Sequence, residues 1–75
     1  MIRYRIRICT GDNNTERTYH FVHKDYEKLS TEEQDIKFNE AVEELNRIYK
    51  NYGRFATNTG VIRLFSSYGF NLSPK

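Results

Sequence analysis

The chain has 75 residues, a formal charge of +2 and a hydrophobic fraction of 37%, with six Tyr and five Phe. That length predicts one small domain and excludes a doubly wound nucleotide-binding fold or an (α/β) barrel. The aromatic content argues against a disordered chain, and no apolar run approaches the roughly 18 residues of a membrane span.

The first element is read from Ile2 to Cys9, where apolar and charged residues alternate. Ile2, Tyr4, Ile6 and Ile8 fall on one side of an extended chain, and Arg3, Arg5, Arg7 and Cys9 on the other. A secretory leader needs a continuous apolar stretch, so this start predicts none. Thr10 to Asn14 is a turn cluster. A second strand is expected from about Thr15 to Val22, with Tyr19 and Phe21 on one face and Thr18, His20 and Val22 on the other. Five turn residues leave no room for a crossover, so the two strands form a hairpin.

Ser30 with Glu33 three residues later reads as a capping box, and Glu32, Glu33 and Asp35 place negative charge in the first helical turn. A helix is predicted over about Thr31 to Tyr52, closed by Gly53. Its apolar face reads Ile36, Phe38, Ala41, Val42, Leu45, Ile48, Tyr49 and Tyr52. Beyond Gly53, Arg54 to Thr57 is read as a short strand and Asn58-Thr59-Gly60 as a turn. Val61 to Phe65 is read as a further strand because β-formers dominate it. A last short edge strand is allowed within Ser66 to Leu72, and Ser73-Pro74-Lys75 reads as a fraying tail. The expected fold is a two-layer α+β domain spanning residues 1–75, of order ββαββ, with one long helix on a mostly antiparallel sheet.

Charge is unevenly distributed. Residues 1–29 carry a balance of +2, residues 30–52 of −3 and residues 53–75 of +3. The helix is acidic and the strand regions are basic, so the two-layer arrangement predicts a dipolar molecule that can orient in the field of a charged partner.

Arg3, Arg5 and Arg7 are the sharpest feature of the chain. Alternate strand residues lie about 6.6–6.8 Å apart, and a guanidinium matches phosphate oxygens with several donors. Arg63 and Phe65 are expected to join this face if Ile62 and Leu64 turn toward the helix. Phe65 or His20 would then add a stacking surface for unpaired bases. The competing explanation is that outward arginines keep a half-covered sheet soluble and discourage edge pairing. The first functional expectation is a small, non-enzymatic, cytoplasmic protein, nucleic-acid-associated or regulatory, that contacts a DNA or RNA backbone.

A rival expectation is an inhibitor or adaptor, of a kind that would suit a phage or mobile element. It would bind a basic protein through Glu40, Glu43 and Glu44, or through Tyr49, Tyr52 and Tyr68. A third is a homo-oligomeric subunit, so that either a monomer or a homodimer is compatible with the sequence. A lone Cys9 makes no intrachain disulfide and fits a reducing compartment. His20, His23, Cys9 and Asp25 lack the spacing of a zinc site, and no phosphate-cradling glycine pattern occurs. No metal, cofactor, catalytic residue or membrane contact is expected.

Overall fold

A computed structural model describes residues 2–9, 16–49 and 57–73. Its elements are β1 (Tyr4–Cys9), β2 (Glu16–His23), α1 (Thr31–Ile48), α2 (Asn58–Ser67) and β3 (Phe70–Leu72). The strands form one antiparallel sheet in the order β1-β2-β3. Both helices pack on the same face of it, so the α+β class and the antiparallel sheet hold. The element order is ββααβ rather than ββαββ.

The hairpin forms as the alternation predicts. Tyr4 stands opposite Phe21 and Ile6 opposite Tyr19, while Arg5 stands opposite His20. Directly opposed residues share a face, so the apolar set points to the helices and the arginines point away. The predicted turn at 10–14 lies outside the described residues.

The segment between β2 and α1 is a run of turns. The N–H groups of Lys28 and Leu29 both donate to the Asp25 carbonyl. Ser30 then caps α1, its Oγ accepting from the Glu33 N–H at 3.2 Å. Gln34 is buried in the first turn, and its Nε2 donates to the carbonyls of Leu29 and Tyr26. That side chain ties the turns to the helix they precede.

Gln34, Phe38, Ala41 and Leu45 form the inward stripe of α1, with Val42 and Tyr49 at its flank. Two residues expected on that stripe are not there: Ile36 is 57% and Ile48 is 52% exposed. Ile36 follows two residues before Phe38, about 200° round the helix at 3.6 residues per turn. Ile48 sits in the last turn at the margin of the stripe. The helix also ends four residues before the predicted Tyr52. Tyr49 adopts an extended backbone, its N–H donates to the Leu45 carbonyl, and its half-buried ring packs on the core beside the first turn of α2. Tyr52 and Gly53 lie outside the described residues, as do Arg54 to Ala56 of the expected short strand.

The largest departure is α2. The run Val61 to Phe65, expected as a strand, is helical, and Asn58 to Gly60 is its first turn rather than a loop. Thr57 caps it, its Oγ1 accepting from the Gly60 N–H at 3.0 Å. Val61 and Phe65, four apart, are both fully buried, with Tyr68 half-buried at the next repeat. The same letters that suit a strand also place two large side chains on one helical face. Gly69 then takes φ +90°, a region that glycine enters without strain, and turns the chain into β3. The expected last edge strand is β3, and its pairing with β2 is extended by Lys24 N–H to Gly69 O and Ser73 N–H to His20 O.

The core is Ile8, Tyr19, Phe21, Ala41, Leu45, Val61, Phe65 and Phe70. Aromatic rings dominate it. Phe21 stacks on Phe65 at 4.6 Å between centroids, and Phe70 meets Tyr4, Phe38 and His23 edge-on. A small domain thus obtains large buried area from few residues. Among the described residues no helix is long and apolar enough to cross a membrane.

Candidate anion-binding face

The sheet face turned away from the helices carries Arg3, Arg5, Arg7 and Cys9 from β1 with its lead-in. From β2 it carries Glu16, Thr18, His20 and Val22, and from β3 Asn71. All of these are exposed except Val22, at 8%. Val22 is on the central strand, paired with Asn71, and is not part of the helix-side core.

Of the residues predicted for an anion site, four are brought together. Arg3, Arg5 and Arg7 form a row along one edge of the sheet, and His20 stands across from Arg5. Among the described residues no carboxylate lies within ion-pair distance of Arg3 or Arg5. Arg7 Nε lies 3.6 Å from Glu16 Oε1, and both side chains are well exposed. Such a pair contributes at most about 1 kcal/mol.

The other two predicted members are elsewhere. Phe65 is fully buried and stacked on Phe21, so it offers no platform for a base. Arg63 is exposed, but on α2 in the helical layer, not in the arginine row. Both placements follow from the helical state of residues 58–67. The Thr57 cap and the recurrence of Val61, Phe65 and Tyr68, whose odd last step no strand keeps on one face, are the signal for it.

Arg5 and His20 share the open face, whereas Tyr4 faces the helices. The Tyr4 hydroxyl donates to Asp35 Oδ1, and its ring stacks on Phe38 at 4.6 Å. Burial, then the hydrogen bond and the charge of Asp35, push the Tyr4 hydroxyl up to about 12. This contact locks the arginine-bearing strand onto the acidic helix.

The residues of the rival site divide. Glu40, Glu43 and Glu44 line a shallow, open groove of about 360 Å³ with Arg47 and Tyr68. Arg47 is ion-paired with Glu44 there. Tyr49 is not at this groove, since it packs on the core near Gly60, and Tyr52 lies outside the described residues.

His20 and His23 point to opposite faces. His23 is buried, its Nδ1 accepting from the Asp25 N–H at 3.0 Å. Cys9 pairs with Glu16, four residues along β1 from the Arg5–His20 pair, or about 13 Å at strand rise. Among the described residues no three His, Cys, Asp or Glu side chains cluster as a metal site.

Among the described residues β1 is an edge strand. Antiparallel pairing of two copies of β1, with faces matched, would set arginine against arginine in every register that pairs most of the strand, which opposes such a dimer. No protein-family model, curated protein or solved structure matches this chain.

Proposed function

We propose that the protein is a non-enzymatic binding domain that holds the phosphate backbone of a nucleic acid on its open sheet face. Arg3, Arg5 and Arg7 supply the charge, and His20 lies beside them. The observation that carries this reading is three exposed arginines at alternate positions, Arg5 and Arg7 in β1 and Arg3 in its lead-in, two of them without a carboxylate partner among the described residues. The acidic outer side of α1 lies in the other layer, so the charge separation would orient the molecule as it approaches a polyanion. With Phe65 in the core, binding rests on backbone electrostatics and is weakly sequence-specific. A regulatory role in the cytoplasm is consistent with this and with the unpaired, exposed Cys9.

The test is an Arg3→Ala, Arg5→Ala, Arg7→Ala variant with an unchanged circular dichroism spectrum. Loss of oligonucleotide binding is expected; affinity equal to the parent contradicts the reading.

A second reading is favoured by the groove that brings Glu40, Glu43, Glu44 and Tyr68 together. There the protein would dock a basic protein as an inhibitor or adaptor. Charge reversal at the three glutamates should abolish any such complex, and a complex that survives it uses another surface.

A further inference from the structure

The geometry points to an unpaired strand, rather than a duplex, as the ligand of the arginine face; this deepens the nucleic-acid reading and rests on it. We infer that the strand runs along β1 with its phosphates on Arg3, Arg5 and Arg7, and that its bases lie across β2 and β3.

The first argument is shape. A strand pair reads a duplex by entering the major groove, which is about 12 Å wide. Here the hairpin is part of a three-stranded sheet whose other face is covered by α1 and α2. That layer leaves the open face as the surface of the described sheet that can meet a nucleic acid. A duplex presents the phosphates of each strand along a rigid, curved path. A flexible single strand can straighten to match a row spaced by about 6.7 Å.

The second argument is what stands beside the row. The neighbouring strands lie about 4.8 Å and 9.6 Å from β1. β2 presents His20 and Thr18 opposite Arg5 and Arg7, with Val22 next along the strand, and β3 presents Asn71 opposite Val22. Val22 is buried, while His20, Thr18 and Asn71 are exposed donors or acceptors. Those groups can reach the base edges of an open strand. In a duplex the same edges are already paired or sunk in a groove. His20 is the only ring among the described residues on this face, so stacking is minor and no base is strongly preferred.

Glu16 sets the third contact. It lies on the same face and holds Arg7. The strand must compete with it, so two to three arginines contribute rather than three in full. For single strands the log–log salt slope is about −0.7 per neutralised phosphate, which gives about −1.4 to −2.1 here.

The experiment titrates the full chain into a labelled mixed-sequence oligonucleotide of about 20 nucleotides, longer than a typical single-strand site. It is presented alone and annealed to its complement, at about 50 and 200 mM salt. The single strand should bind at least about tenfold more tightly than the duplex, a difference of about 1.4 kcal/mol. Glu16→Gln should tighten single-strand binding and steepen its slope toward the three-phosphate value. Equal or tighter duplex binding overturns the single-strand inference and leaves the nucleic-acid reading standing. Single-strand preference with no response to Glu16→Gln overturns the placement of a phosphate on Arg7. No binding of either form at the lower salt overturns the nucleic-acid reading itself.

Discussion

Gly69 lies against the imidazole of His23: a β-carbon added at Gly69 would meet Nε2 in overlap and stand 2.9 Å from Cε1. The same glycine has φ +90°, so steric contact and backbone conformation both demand the absence of a side chain. His23 is itself fixed by its bond from the Asp25 N–H and by the edge of Phe70. The junction of α2 and β3 therefore depends on the buried end of β2.

Gly69→Ala should destabilise the domain by about 1–3 kcal/mol, the range for strained backbone positions. Urea unfolding of Gly69→Ala, His23→Ala and the double variant separates the two causes. The ring contact predicts that Gly69→Ala costs less in the His23→Ala background. An identical cost in both backgrounds would assign the whole effect to φ.

The Tyr4–Asp35 bond predicts an alkaline dependence. The Tyr4 hydroxyl is raised from 10.0 to about 12, so the folded state keeps its proton more firmly than the unfolded chain. The resulting stability is complete below pH 10 and is lost as pH rises from about 10 toward 12. Tyr4→Phe should remove that part of the alkaline fall. Near neutral pH it should cost about 0.5–1.5 kcal/mol, as for a typical hydrogen bond. A Tyr4→Phe variant with the parental alkaline profile would show that other groups set it.

The helical state of residues 58–67 is tested by two substitutions. Phe65→Ala removes a fully buried ring stacked on Phe21 and should cost about 3–5 kcal/mol. Thr57→Ala removes the cap on Gly60 N–H and should cost about 1 kcal/mol. If residues 58–67 were a strand with Phe65 on the open face, both changes would be nearly silent.

Local pattern carried much of this fold. The period-two alternation of Ile2 to Cys9 specified a face for every residue of β1, and the observed register agrees with it. The Ser30 cap located the start of α1 to the residue. α2 was less legible because Val61 and Ile62 are β-branched and Arg63 interrupts the run, which reads as a strand on propensity. Packing decides otherwise: a strand would carry Arg63 on the same face as Val61 and Phe65, whereas the helix buries those two, adds Tyr68 to their side and leaves Arg63 exposed. The end of α1 depends on Tyr49 leaving the helix to cover the core near Gly60, a tertiary contact that no local signal encodes. For the site, the arginine row and His20 could be read from alternation alone. Arg63 and Phe65 could not, since their place depended on the state of α2.

The most direct test of the central claim is amide chemical-shift mapping during addition of a single-stranded oligonucleotide. The account predicts shifts concentrated on Arg3 to Cys9, on Thr18 to Val22 and at Asn71, with Glu40, Glu43, Glu44 and Tyr68 unmoved. Shifts centred on that acidic groove, or no shifts at saturating oligonucleotide, would contradict it.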